Sequence, residues 1–263
     1  MVMDVKIAVI GGTGVADPEL FKTVEEVEAN TQYGEPSDKI RISEFGGVRV
    51  AFLPRHGSGH TIPPHMVNSR ANISALKDLG VERVIGVAAV GSLKESLKPG
   101  HIVMPDQFID MTKQRKSTFY DGPKVIHISA ADSFCPEMSK MAVKRAESLK
   151  IPVHDGGTYV CVEGPRFSTR AESVLWRTMK ADVIGMTLCP EIQLAREMGM
   201  CYVSLASVTD YDVWAEKPVN AKEIIETMKK NTVNVQNVLK KLIPDVAGDR
   251  TCDCAKVLED AEL

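Results

Sequence analysis

The chain has 263 residues, 44% of them hydrophobic and 25% charged, which is enough apolar mass for a folded domain without a disulfide framework. A formal net charge of −3 excludes a general nucleic-acid binder, so any anionic ligand needs a local site. The apolar run Ile7–Ile10 is too short for a signal-peptide core, and Val84–Leu93 is too short to span a bilayer. The expectation is a cytoplasmic protein with no membrane partner.

In chain order, β-rich apolar runs predict strands at Val5–Ile10, Val48–Leu53, Arg83–Val90, His101–Met104, Thr158–Val162, Asp182–Met186 and Cys201–Val208. Most are continuous rather than alternating, as in strands covered on both faces. Helices are predicted between them. Pro136 starts one that carries Met138, Met141, Ala142 and Leu149. Thr169 and Glu172 have the form of a capping box. A third helix runs from Pro190 to Met198 and ends before Gly199. A long fourth opens at Asn220, with Ile224, Ile225, Met228, Val235, Val238, Leu239 and Leu242 on one side. Gln32–Lys39 reads as a loop, and Pro244–Arg250 as irregular. The alternation argues for one α/β domain over residues 1–263 around a central sheet, with a tail over 244–263.

Ligands of open α/β sheets bind beyond the carboxyl ends of strands. The unusual residues collect there. Gly11-Gly12-Thr13-Gly14 is either a tight turn or an anion cradle with a hydroxyl donor. It lacks the third glycine of a dinucleotide fingerprint and any Walker lysine, so a nucleotide-cofactor oxidoreductase is an outside alternative. Arg55-His56 offers a guanidinium fork and an imidazole for phosphate, or a surface ion pair. His60 and His65 are separated by two prolines and lack a third ligand, so no metal is expected there. Glu163-Gly164-Pro165-Arg166-Phe167 joins a Glu–Arg pair to an aromatic ring that either stacks on a flat base or packs in the core. Asp210 and Asp212, on one side of an extended backbone, are either helix caps or a like-charged pair with one raised pKa.

At these residues the sequence resembles the 5′-methylthioadenosine phosphorylases of the trimeric purine nucleoside phosphorylase family. The matching stretches are Ile10–Val15, Tyr33–Ile40, Leu53–His65, Asn72–Gly80, Gly91–Leu93, Asp106–Thr112, Phe119–Gly122, Glu163–Ser173, Met186-Thr187 with Pro190-Glu191, and Thr209–Asp212. The resemblance implies a single-domain three-layer sandwich around a mixed, largely parallel sheet. It implies phosphorolysis of 5′-methylthioadenosine, with phosphate as co-substrate and no cofactor. Phosphate contacts carry over to Thr13, Arg55, His56, Ala89 and Thr187. Phe167 would stack on the purine, Met186 would touch ribose, and Asp210 and Asp212 would read the base and supply its proton. His60 and Ile224 would line the 5′ pocket, and His127 would reach in from a neighbouring subunit of a trimer or a dimer of trimers.

Two positions depart from the pattern. Ala88 stands where many relatives carry Thr or Ser, and Gly185 where some carry Asn. Gly185 keeps open a broader purine nucleoside phosphorylase acting on adenosine, inosine or guanosine, and Ala88 a non-catalytic nucleoside binder. Six cysteines are many for the cytosol. Cys252-Asp253-Cys254 is too tight and isolated for a structural zinc site. The resemblance to archaeal members implies a Cys135–Cys201 disulfide instead, with the Cys-x-Cys pair oxidised or exchanging; the alternative is six ordinary buried thiols.

Overall fold

The computed structural model describes residues 5–12, 15, 21–215, 221–259 and 261–262, with backbone alone for 221–224. The strands are β1 (Ile7–Gly11), β2 (Lys22–Val27), β3 (Ile40–Phe45), β4 (Val48–Pro54), β5 (Arg83–Ser92), β6 (Ile102–Met104), β7 (Gln107–Met111), β8 (Val153–Asp155), β9 (Thr158–Val162), β10 (Val183–Gly185) and β11 (Cys201–Asp210). The helices are α1 (Ser69–Asp78), α2 (Pro136–Ser148), α3 (Arg170–Thr178), α4 (Glu191–Glu197) and α5 (Ala221–Asp245). All eleven strands form one mixed sheet, and six of its ten pairings are parallel.

The sheet centre is β4-β1-β5, with β11 paired parallel to β5 from Cys201↔Arg83 to Val208↔Val90. Alternate residues of β1 feed opposite faces. Ala8 and Ile10 join the core with α4 residues Ile192 and Leu194, whereas Ile7 and Val9 join the core with α2 and α5. That two-sided burial makes three layers and explains why β1 is apolar throughout. The predicted capping box of α3 is formed: Thr169 Oγ1 accepts from Glu172 N–H at 3.1 Å, and Glu172 Oε2 accepts from Thr169 N–H at 2.7 Å. Gly199, at φ +65, follows α4 as predicted.

Several expectations are corrected. β2, β3, β7, β8 and α1 are additional elements. β2 is a charged edge strand, exposed over Lys22–Glu26, with no apolar run to announce it. β7 and β8 are short and half-buried. The helix α5 passes through Pro244, because Val246 N–H still reaches Leu242 O at 3.1 Å. Its Val235, Val238, Leu239 and Leu242 are buried, but Ile225 and Met228 are exposed. All six cysteines are free thiols. The Cys-x-Cys pair is not isolated, since the tail folds back so that the sulfurs of Cys135, Cys201, Cys252 and Cys254 lie within 4.8 Å of one another. Among the described residues no helix is long and apolar enough to cross a membrane.

One buried ion pair ties the layers together. Arg55, 3% exposed, follows β4, and Glu191, 1% exposed, opens α4. Arg55 Nε and Nη2 each donate to a different Glu191 oxygen at 2.7 Å. Nη1 donates to Val87 O of β5 at 2.8 Å, and Nη2 to Ile10 O of β1 at 3.2 Å. Glu191 Oε1 also accepts from Tyr202 Oη of β11 at 2.7 Å. A Cβ on Gly86 would lie 2.1 Å from that hydroxyl, so β5 needs glycine there. Removing the carboxylate strands a buried cation. Glu191→Ala should therefore destabilise the fold by about 3–5 kcal/mol in urea unfolding, whereas Glu191→Gln should cost less because it still accepts from Tyr202 or Arg55.

Candidate active site

Six strand ends and α5 enclose one cleft of about 320 Å³. Gly12 follows β1, Arg55 and His56 follow β4, and Val87–Gly91 belong to β5. Gly185, Met186 and Thr187 come from β10 and its exit, Thr209, Asp210 and Asp212 from β11 and its exit, and Phe167 and Ser168 from the loop after β9. Met228, Asn231, Thr232 and Val235 of α5 close one side.

The cationic end differs from the surface pair that the sequence alone left open. Arg55 is buried, and the hydrogen bonds to Glu191, Val87 and Ile10 occupy four of its five N–H groups. The Glu191 carboxylate holds its pKa well above the ordinary value despite burial, so it is a permanent cation. His56 behaves oppositely. Burial, then the Arg55 charge, lower its pKa to about 4, and its ring is neutral near pH 7. Its Nδ1 lies 2.9 Å from Ile62 O. A carbonyl only accepts, so Nδ1 carries the proton and Nε2 is left as an acceptor. Ala88 and Ala89 supply only methyl groups and backbone to this wall.

The acidic end is built by a bulge rather than by the predicted extended run. The β11–β5 register shifts between Val208 and Asp210, and Asp210 then sits opposite Gly91. A Cβ on Gly91 would come within 3.2 Å of Asp210 Oδ2, so glycine opens room for the carboxyl. Asp212 has φ +48 and starts a 3-10 turn, so the two carboxyls share the cleft through a turn. Asp210 Oδ1 accepts from Thr209 Oγ1 at 2.6 Å and Oδ2 from Asp212 N–H at 2.9 Å. Asp212 Oδ2 accepts from Ser173 Oγ at 2.5 Å. Both pKa values are raised, and burial is the main cause in each. The like charge of Asp210 is a lesser contribution, felt at Asp212.

Phe167 is half exposed on the cleft rather than packed in the core. The Glu163–Arg166 pair that went with the core-packing alternative is not formed either. Arg166 binds Glu172 at 2.7 Å, and Glu163 binds Arg115 at 2.9 Å. Arg115 is the residue that sequence reasoning missed. Its Nη1 donates to Met186 O at 2.7 Å and Cys189 O at 2.6 Å, and its Nη2 to Glu163 O at 2.7 Å. It thereby fastens the Met186 segment to the loop that carries Phe167. It lies in a polar stretch with no motif, so nothing in the sequence marks it. Gly185 also has a structural cause, because a Cβ there would sit 1.9 Å from the buried Tyr159 hydroxyl.

His60 lines the cleft, and its ring centroid is 4.6 Å from that of His56. His127 is exposed and does not line the cleft of its own chain. Thr13 and the side chain of Ile224 lie outside the described residues.

Comparisons with known proteins converge on this arrangement. Residues 6–244 match the model of the phosphorylase superfamily. The S-methyl-5'-thioadenosine phosphorylase of Nitrosopumilus maritimus is 55% identical over 263 residues, covering all of both chains. A crystal structure of methylthioadenosine phosphorylase from an antarctic soil metagenomic library superposes with TM-score 0.95 at 46% identity, over 99% of this chain and 93% of that one. The methylthioadenosine phosphorylase of Schistosoma mansoni, solved with adenine, superposes with TM-score 0.93 at 36% identity, over 98% and 99% of the two chains. With a match that spans the whole sheet and every wall of the cleft, this chain belongs to the phosphorylase superfamily.

Proposed function

We propose that the cleft carries out phosphorolysis of 5′-methylthioadenosine, giving adenine and 5-methylthioribose 1-phosphate. The observation that carries this reading is a single cleft with a permanent buried cation at one end and two carboxyls of raised pKa, part-buried Asp210 and buried Asp212, at the other. Relatives of the same name at 55% identity over the full length support it.

Phosphate binds beside Arg55, with Thr187 and the Ala89 backbone completing its site. Hydrogen phosphate carries one O–H, which the free Nε2 of neutral His56 accepts. The purine lies on Phe167 with its edge toward Asp210. A protonated Asp210 carboxyl donates to N7 as the bond to ribose breaks, so the base leaves neutral. The ribosyl carbon becomes cationic and is held against the phosphate dianion that attacks it. Asp212, with Ser173 on one oxygen, accepts from the 6-amino group. Apolar Met228 and Val235 receive the methylthio group beside His60. Ile225 of α5 and the exposed apolar residues Val174 and Leu175 of α3, with Met179 just after it, support association into a trimer, in which His127 would serve a neighbouring site. The reaction needs phosphate but no other cofactor.

Base release should require phosphate, and kcat/KM should favour methylthioadenosine over inosine by about a hundredfold or more, since a buried acceptor is repelled by a 6-oxo group. Equal use of inosine would favour the broad purine nucleoside reading; release without phosphate would sink both. Asp210→Asn should lower kcat for methylthioadenosine by about a hundredfold or more, measured by adenine release.

The same variant makes a stability prediction of opposite sign. The folded pKa of Asp210 lies above its unfolded value, so the wild type loses stability as pH rises through that window. The carboxamide of the variant does not titrate. The melting temperature of Asp210→Asn minus that of the wild type should therefore increase as pH rises from below the unfolded pKa, and level off above the raised folded pKa.

A further inference from the structure

The four-sulfur cluster lies outside the active-site cleft, and the reaction makes no use of it. It gathers three distant parts of the chain. Cys135 is the N-cap of α2, Cys201 is the first residue of β11, and Cys252 and Cys254 flank the start of the last 3-10 turn. Cys135, Cys201 and Cys254 are buried, and Cys252 is partly so. Cys252 Sγ is 3.4 Å from Cys201 Sγ and 3.7 Å from Cys135 Sγ. It therefore sits between both core cysteines instead of belonging to one of them. Zn–S bonds of about 2.3 Å in a tetrahedron set sulfurs about 3.8 Å apart, which is close to the spacing seen here. An all-sulfur tetrahedron of this kind selects zinc over harder, oxygen-seeking ions.

We propose that Cys135, Cys201, Cys252 and Cys254 bind one zinc ion as a structural tetrathiolate site that fastens the C-terminal tail to the core. Four thiols lose four protons to solvent as the ion binds, which leaves a site of net charge −2. The fold is prepared for that charge. Cys135 is the N-cap of α2, so the positive end of the helix lies beside the site. The tail is already docked: Arg250 donates to Gly199 O at 2.9 Å and pairs with Glu82 at 3.1 Å. A Cβ on Gly199 would touch Ala255 O at 3.3 Å, so the turn after α4 is shaped to receive the tail.

The test is to express the full chain with zinc in the medium, purify it under reductant and count metal after gel filtration. One zinc per chain is expected. Cys252→Ser/Cys254→Ser should hold none while keeping phosphorolytic kcat/KM within about twofold, because neither residue touches the cleft. Chelation should lower the melting temperature of the wild type but not of the variant. Cobalt substituted for zinc should give the thiolate-to-metal absorption of a four-sulfur site. Wild-type protein without stoichiometric zinc overturns the proposal. So does a variant that retains it, or a thiol count of two in denatured, unreduced protein. That last result would place all four sulfurs in disulfides, the oxidised pairing in which Cys135 joins Cys201.

Discussion

The structure depends on one constraint: a guanidinium has been taken out of water at the centre of the sheet. Such a charge is tolerable only when its donors are met on every side. Arg55 meets this through Glu191, Val87 and Ile10, and Glu191 in turn takes Tyr202. The ion pair and its partners tie together β1, β4, β5, β11 and α4, and four of these, β1, β4, β5 and β11, bound the cleft at or just beyond their ends. The ion pair is thus weak as a source of net stability and strong as a device for alignment. It fixes where these strands must stop, and the cleft is the space beyond them.

The same burial tunes the titrating groups in the senses the chemistry requires. The charge of Arg55 is kept because its partner is ionised. His56, beside that cation, is kept neutral and so accepts a proton rather than donating one. At the other end, no cation among the described residues offsets the desolvation of Asp210 and Asp212, so their pKa values rise. A cleft with one cation and two reluctant carboxyls has the electrostatics that the proposed reaction needs, an anion site at one end and a proton donor at the other. Neither behaviour follows from the net charge of the chain, which is small.

What could be read in advance followed from how much each signal depended on local chemistry. The capping box of α3 and the glycine after α4 are satisfied within a few residues, and both were legible. The strands β1, β5, β9 and β11 are buried on both faces and announce themselves as apolar runs. The strand β2 pairs with β3 and is exposed over Lys22–Glu26, so its Glu-rich sequence carries no hydrophobic pattern. Arg115 escaped for the related reason that its partners, Glu163, Met186 and Cys189, lie 48 to 74 residues away. Pairings guessed from adjacency failed in the same region: Glu163 and Arg166 stand three apart, yet each found a different partner.

The sequence by itself determined the α/β class, the parallel core strands and the residue types that collect at strand ends, because these rest on periodicity and on short-range caps. The family resemblance carried Arg55, His56, Phe167, Asp210 and Asp212 to one site, and the fold brings them to one cleft. Only the tertiary structure decided what each does there. Whether an arginine is a surface ion or a buried cation, whether a histidine donates or accepts, and whether four scattered cysteines become neighbours are set by desolvation and by contacts between distant segments. Those quantities belong to the packed molecule, since only packing removes water and brings residues 135, 201, 252 and 254 to one point.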